Sequence, residues 1–279
     1  MNSIRASDGE RLAAYAWEPG ESPRGLVFLM HGYAEHAGRY AALAAALNAA
    51  GLSVHALDHR GHGHSGGRRG FVRGPAAIAE DFVPFMTGVM ADRPGLPAAL
   101  FGHSMGGAAA VRVALSRQDR LFGLVLSSPF IEPVPKANPV SRAAVALLAG
   151  IAPRLPVQRL DTRGLSREAS EVAAYEQDPL VHHGPVVAAT ASALIRSGDD
   201  AVRSAPGLTL PLLMFHGAID PIAGIGGTRR LFEAVGSRDR QLRVMEGAPH
   251  EILNDLDRDT MTGELRDWLA DRLPGRQDG

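Results

Sequence analysis

The sequence predicts an α/β protein in which a mostly parallel sheet, flanked by helices, is interrupted once by a helical insertion. Three observations carry that expectation. Short apolar runs (GLVFLM at 25–30, LSVHALD at 52–58, PAALF at 97–101, LFGLVLS at 121–127) alternate with helical-looking stretches, the pattern of strands buried on both faces between crossover helices. The alternation stops from about 129 to 205, where proline is frequent, helical pieces remain and no clear strand is written, and it resumes at LPLLMF, 210–215. Between the run at 97–101 and the helical AAAVRVALSRQ stands Gly102-His103-Ser104-Met105-Gly106-Gly107. That is Gly-x-Ser-x-Gly at a strand-to-helix junction, a turn so sharp that the residues two before and two after the serine must be tiny.

Taken in order, residues 1–19 alternate weakly about Asp8-Gly9 and predict an opening hairpin. The strand at 25–30 runs into His31-Gly32-Tyr33-Ala34-Glu35-His36, where a functional loop begins. An alanine-rich helix over 40–50 is closed by Gly51. Residues 58–67 (DHRGHGHSGG) carry too many glycines for regular structure, and 75–92 read as a helix kinked, or short of one bond, at Pro84. Inside the insertion, helices are expected at 139–150, with Asn138 as cap and Pro139 in the first turn, and at about 185–197. After the strand at 210–215 come a helix near 225–236, the strand QLRVME and a last helix over 260–272. Residues 1–128 and 206–279 therefore form the core, and 129–205 a helical cap, or lid, above the C-terminal ends of the strands, where open α/β sheets bind ligands.

At 279 residues the chain suits one large domain with an insertion. A net charge of -1 and 21% charged residues argue against nucleic acid as a partner. The chain contains no cysteine, which rules out disulfides, thiolate metal sites and a cysteine nucleophile. The start, MNSIRASDGERL, lacks the apolar region of a signal peptide, and no apolar stretch is long enough to span a bilayer. The expectation is a cytoplasmic enzyme, with peripheral membrane contact; the oligomeric state is open.

The turn at Ser104 lifts a hydroxyl clear of the sheet beside a helix N-terminus, whose free N–H groups favour developing negative charge. That is a site for acyl transfer. A serine hydroxyl needs a histidine to take its proton and a carboxylate to orient that histidine. With the order serine, acid, histidine, the acid follows a late strand and the histidine the last one: Asp220 after LPLLMF and His250 after QLRVMEGAP. Asp199 and Asp200 are weaker rivals because no strand delivers them, and Asp255 and Asp257 come too late. The backbone N–H groups of Tyr33 and Met105 make the expected oxyanion hole. The histidines at 55, 59, 62 and 64 invite a metal reading, but the glycine-rich loop predicts tight turning beside the site, so no metal and no cofactor is expected. His182-His183 reads as a surface or cap pair.

With His31-Gly32, GHSMGG, HGAIDP and GAPHE in place, the chain resembles the monoacylglycerol lipases of the α/β-hydrolase superfamily over nearly its whole length. HGYAEHAGRY at 31–40, DHRGHGHSGGRRG at 58–70, PGLPAALFGHSMGG at 94–107 and YEQDPLVHHG at 175–184 are similar to that family's stretches. The resemblance implies the α/β-hydrolase fold, and hydrolysis of small lipid esters, monoglycerides, to glycerol and fatty acid by Ser104, Asp220 and His250. It also implies a glycerol end held near Glu35, Arg39, His103 and Tyr175, against which stands a bracing role for Glu35 and Arg39 beneath the oxyanion loop. Tyr33 departs from the small residue more usual after His-Gly, which narrows the alcohol side. A general carboxylesterase or lysophospholipase with the same triad is the nearest alternative, and a non-catalytic hydrolase-fold binding module is a remote one. In the insertion, Val140, Ala144, Leu147, Leu148 and Ile151 share one broad apolar helix face, which either packs downward or meets a micelle or membrane.

Overall fold

A computed structural model describes residues 2–74 and 76–275. Met1, Pro75 and residues 276–279 lie outside the described residues, and with them the first position of the helix expected from 75 and the outermost ends of the two core segments.

The chain opens with an antiparallel pair, β1 (Asn2–Arg5) and β2 (Arg11–Trp17), turned at Gly9 with φ +86. β3 (Gly25–Met30), α1 (Ala41–Ala49), β4 (Leu52–Leu57), α2 (Ala77–Ala91), β5 (Ala98–His103), α3 (Ser104–Arg117) and β6 (Leu121–Ser127) follow in strict alternation. Beyond the insertion come β9 (Leu212–Gly217), α7 (Ile225–Ala234), β10 (Arg240–Met245) and α8 (Arg258–Arg272), the insertion itself holding α4 (Pro139–Ile151), β7 (Pro156–Gln158), α5 (Ala169–Gln177), β8 (Val186–Val187) and α6 (Ala188–Ser204). The eight-stranded sheet runs β1-β2-β4-β3-β5-β6-β9-β10 and is parallel from β4 onward.

The uninterrupted apolar strands follow from burial on both faces. In β3, Leu26, Phe28 and Met30 enter one core with Phe82, Met86, Val111 and Leu231, whereas Val27 and Leu29 enter the other with Leu43, Leu47, Leu265 and Trp268. Successive strand residues point to opposite sides, so each run feeds two cores. The parallel register of β3, β5 and β9 with their neighbours brings the loops that follow them, and the one after β10, to the same edge of the sheet.

The structure departs from the sequence expectation in the insertion. β7 and β8 form a small antiparallel ribbon where no strand was expected, and α5 was not anticipated. The helix expected to end at 197 runs on to Ser204 in α6. At Gly198 a Cβ would collide with the Ile131 carbonyl. Helix α6 passes that carbonyl and buries Ala193, Leu194 and Ala201 in the main core. Pro84 lies within α2 without ending it.

α3 packs closely on both β3 and β5. A Cβ on Gly106 would collide with the Met30 and His31 carbonyl oxygens, and one on Gly102 would lie 2.7 Å from the Gly106 carbonyl and 2.8 Å from Ala110 Cβ. Overpacking at such contacts costs about 1–3 kcal/mol, and each kcal/mol lowers the melting temperature of a chain this size by roughly 2–4 °C. Gly106→Ala should therefore lose at least about 3 °C in a thermal melt; an unchanged melt would show that this approach does not limit the fold.

Candidate active site

β5 passes directly into α3, with His103 extended at φ -110 and Ser104, the first helical residue, held at φ +52. A non-glycine residue in the left-handed region costs of order 1–3 kcal/mol unless its surroundings enforce it. Here they do. The helix is held against β3 by the missing side chain of Gly106 and against β5 by that of Gly102, and the Ser104 carbonyl accepts a hydrogen bond from Phe130 N–H at 2.9 Å. Met105, one residue further on, lies in the first turn, where no earlier helical carbonyl is available to its N–H.

Asp220 follows β9 by three residues. Its Oδ1 accepts from Ile222 N–H at 2.8 Å and Ala223 N–H at 2.9 Å, while Oδ2 lies 2.7 Å from His250 Nδ1. Burial pushes Asp220 upward, but the neighbouring His250 and His216 outweigh it and hold the carboxyl well below the usual range. Burial likewise disfavours the charged form of His250, yet Asp220 more than offsets this and raises its pKa. An ionised Asp220 assigns the Nδ1 proton to His250 and leaves Nε2 as the proton acceptor. The backbone N–H groups of His250 and Glu251 reach into the insertion, to the Gly164 carbonyl at 3.3 Å and the Leu165 carbonyl at 2.7 Å.

The rival carboxylates are elsewhere. Asp199 and Asp200 lie within α6, paired with Arg142 and Arg203, and Asp255 and Asp257 both bind Arg167. None of the four lines the cavity described below.

The loop after β3 is braced from every side. Glu35 Oε1 accepts from Gly32 N–H at 2.6 Å and from the Tyr40 hydroxyl at 2.7 Å, and its Oε2 accepts from Arg39 Nη1 at 2.8 Å. Arg39 also makes a two-pronged bond to Glu251, both contacts 2.7 Å, and its guanidinium stacks on the Tyr175 ring. The three ionic groups are almost fully enclosed. Burial opposes the charge on Glu251, but Arg39 wins and draws its pKa down to about 2, whereas burial, only partly offset by Arg39, raises Glu35. The glycine peptide is held on its other side by His31: His59 N–H donates to His31 Nε2 at 2.8 Å, so the ring proton lies on Nδ1, which donates to the Gly32 carbonyl at 2.7 Å. Tyr33 donates its hydroxyl to the Gly70 carbonyl, and the Ala34 carbonyl accepts from His182 N–H at 2.7 Å.

Ser104, His250, Gly32, Tyr33 and Met105 all line one cavity of about 300 Å³. Its apolar wall comes from Phe130, Val134, Leu160, Leu194, Ile195 and Ile222, and it also receives Glu35, His103 and Tyr175. Arg39, expected beside them, does not line it: the guanidinium is spent on Glu35 and Glu251 behind the Tyr175 ring. The Tyr175 hydroxyl is buried without a partner among the described residues. His103 bonds Ser127 Oγ through Nδ1 at 3.2 Å, and burial, aided by His250, lowers its pKa to about 3. Two contributors were missed from sequence. Glu251 was visible only as the residue after His250, and His216 only as part of HGAIDP; neither spacing announces which carboxylate or ring it meets.

His59 and His62 are buried beneath the oxyanion loop, stacked near His31, and burial lowers their pKa values to about 3 and about 4. Among the described residues no group of three or more His, Cys, Asp or Glu is placed to hold a metal ion. No helix among them is long and apolar enough to cross a membrane.

Known proteins share this arrangement. A family model described as serine aminopeptidase, S33, matches residues 21–257. The monoacylglycerol lipase of Mycolicibacterium smegmatis is 39% identical over 272 residues, covering 98% of this chain and 97% of that protein. The monoglyceride lipase of Rattus norvegicus is 35% identical over 274 residues, with 96% and 89% covered. The crystal structure of Paleococcus ferrophilus monoacylglycerol lipase superposes with a TM-score of 0.81 at 33% identity, covering 93% of this chain and 99% of that one.

The shared arginine makes a pH test. Removing one partner from a buried ion pair costs about 3–5 kcal/mol, so Arg39→Met should melt well below the parent at pH 8. Between pH 8 and pH 5.5, where Glu251 of the parent contributes no slope, a pH dependence should also appear. In the parent, the depressed pKa of Glu251 contributes stability that is present above the ordinary value of 4.5 and lost as pH falls towards about 2. In the variant both carboxylates are buried without a cation, their pKa values rise above those of the unfolded chain, and the folded state gains stability on acidification. Melting temperatures at pH 8 and pH 5.5 check this; a variant that melts lower at pH 5.5 than at pH 8 contradicts it.

Proposed function

This chain belongs to the serine aminopeptidase S33 family and, within it, to the monoacylglycerol lipases, and from that membership we propose that it hydrolyses monoacylglycerols to glycerol and fatty acid through an acyl-enzyme on Ser104. The observation that carries the proposal is a single cavity that offers a nucleophile, a base, an apolar wall and, on other residues, unspent polar groups. Ser104 attacks the ester carbonyl as His250 Nε2 takes its proton. Asp220 keeps the ring oriented and stabilises its charged form, for which the 2.7 Å bond to His250 Nδ1 is the support. The N–H groups of Tyr33 and Met105 receive the developing oxyanion. His250 then returns the proton to the glycerol alkoxide, and a water activated by the same ring frees the fatty acid.

Glu35, His103 and Tyr175 face the glycerol hydroxyls in this reading, the unpartnered Tyr175 hydroxyl being the clearest invitation, and Arg39 acts through Glu35 and Glu251 rather than by touching substrate. The acyl chain lies along Phe130, Leu194 and Ile195, where each methylene removed from water contributes about 0.8 kcal/mol. An aminopeptidase, the activity in the family's description, must offer a carboxylate to a peptide's terminal ammonium. Here each of the three carboxylates at the cavity is already paired, Glu35 and Glu251 with Arg39 and Asp161 with Arg163, which favours a neutral, hydroxyl-bearing leaving group.

Residues 129–205 act as the cap on a core made of 1–128 and 206–279. The apolar face of α4 turns outward: Val140, Leu147 and Ile151 are 79%, 64% and 71% exposed, and no residue of this helix is buried. An apolar rim of that kind draws lipid substrate from a micelle or membrane.

Three experiments test this reading. Ser104→Ala and His250→Ala should each lower kcat by about 10⁴ or more, with little further loss when combined; near-parental turnover of either one would sink the triad. Turnover of monoacylglycerol against p-nitrophenyl esters and lysophospholipids separates the lipase from its esterase and lysophospholipase alternatives. Leu147→Glu combined with Ile151→Glu should weaken binding to lipid vesicles and slow long-chain monoacylglycerol hydrolysis, with a short soluble ester and the melting temperature unaffected. Unaltered vesicle binding would remove α4 from the membrane contact.

A further inference from the structure

A second histidine stands on the far side of the acid. His216, the penultimate residue of β9, is fully buried, and its ring is held at both nitrogens. Nε2 lies 2.9 Å from the Ala223 carbonyl and 3.3 Å from Asp220 Oδ2. Both neighbours are acceptors, so Nε2 carries the proton. Nδ1 lies 2.8 Å from Oγ1 of Thr228, a buried residue of α7 that can donate to it. Asp220 Oδ2 thus lies between two imidazoles, the bonded Nδ1 of His250 at 2.7 Å and Nε2 of His216 at 3.3 Å, whose proton is directed at the Ala223 carbonyl and which meets Oδ2 as a longer electrostatic contact, while the loop N–H groups of Ile222 and Ala223 hold Oδ1.

We propose that His216 is a positioning residue for the hydrolysis, fixing the rotation of the Asp220 carboxylate and sharing the charge on Oδ2, so that Asp220 orients His250 without over-stabilising its protonated ring. The inference rests on the reading of Ser104, Asp220 and His250 as the triad. Three N–H groups donate to this carboxylate and His216 makes a fourth, longer contact, and of these only His250 belongs to the ring whose other nitrogen, Nε2, moves the proton. The other titratable and charged groups around the pair are His103 at the end of β5, Glu251 beside His250, and Glu35 with its partner Arg39. None of these donates a hydrogen bond to Asp220 among the described residues, so loss of His216 is not made good by a neighbour.

Without the His216 donor, the full charge of Oδ2 falls on His250, which then holds its proton to higher pH. The acid limb of kcat/KM, where His250 must be unprotonated to act as base, moves upward.

The test compares two side chains of nearly equal length. His216→Met removes the donor; His216→Gln can restore it through an amide N–H. The methionine variant should lose about ten- to a hundredfold in kcat with KM unchanged, and its acid limb should rise by about half a pH unit or more. The glutamine variant should keep the parental limb and recover most of kcat. A residue that only fills space would lower kcat and melting temperature together in both variants and leave the limb in place, and that result overturns the proposal. Should the methionine variant not fold, Thr228→Val, which frees the ring at Nδ1, is read in the same way: a raised limb supports the proposal and an unmoved one overturns it. Asp220→Asn is measured alongside. If it retains parental turnover, the triad reading itself has failed; if it is inactive while the methionine limb is unmoved, only the role of His216 is lost.

Discussion

The close approach of α3 to β3 governs this molecule. With no side chain at Gly106, the helix that begins at Ser104 lies directly against the Met30 and His31 carbonyls, with none at Gly102 it closes on β5, and the chain has no length in which to turn except through Ser104 itself. The left-handed backbone at Ser104 is the geometric consequence, and the projecting hydroxyl is the chemical one. The same contact sets the distance between the two N–H groups assigned to the oxyanion, since Tyr33 leaves β3 and Met105 enters α3 at the point where these elements touch.

Around that contact, loops from distant parts of the chain are tied by buried charge. Arg39 joins Glu35, which clamps the Gly32 peptide, to Glu251, which adjoins His250. One cation between two carboxylates in an enclosed site links the loop after β3 to the loop after β10, and a bidentate guanidinium sets their separation more tightly than a lysine could. The insertion is drawn into the same frame, because its Gly164 and Leu165 carbonyls receive the His250 and Glu251 N–H groups and its His182 N–H meets the Ala34 carbonyl. The insertion is thus tied by its backbone to the loops after β3 and β10, while α4 keeps an apolar face in solvent.

Protonation states in the site follow from burial rather than from surface charge. His31, His59, His62 and His103 are enclosed and burial lowers their pKa values, while that of His250 is raised, because Asp220 outweighs the desolvation. Within the histidine-rich loop, the His59 and His62 rings pack 4.1 Å and 5.6 Å from the ring of His31, which holds the Gly32 carbonyl.

The sequence by itself determined the sheet, the turn at Ser104 and the positions of Asp220 and His250, because each is written in local terms: apolar runs of strand length, glycines two residues either side of a serine, and loops that leave successive strands at one edge. The opening hairpin, the strand and helix alternation and the break after β6 were legible for the same reason. Tertiary structure decided the rest. Whether Arg39 faces substrate or Glu251 depends on two loops 212 residues apart in sequence. The continuation of α6 through Gly198 depends on the Ile131 carbonyl, and the outward turn of α4 on what the insertion leaves uncovered. His216 meets Asp220 only because the chain folds back after β9. Local pattern encodes which residues form an element and which face is apolar; the partner a buried polar group finds is set by the crossing of segments remote in sequence, and no spacing records it.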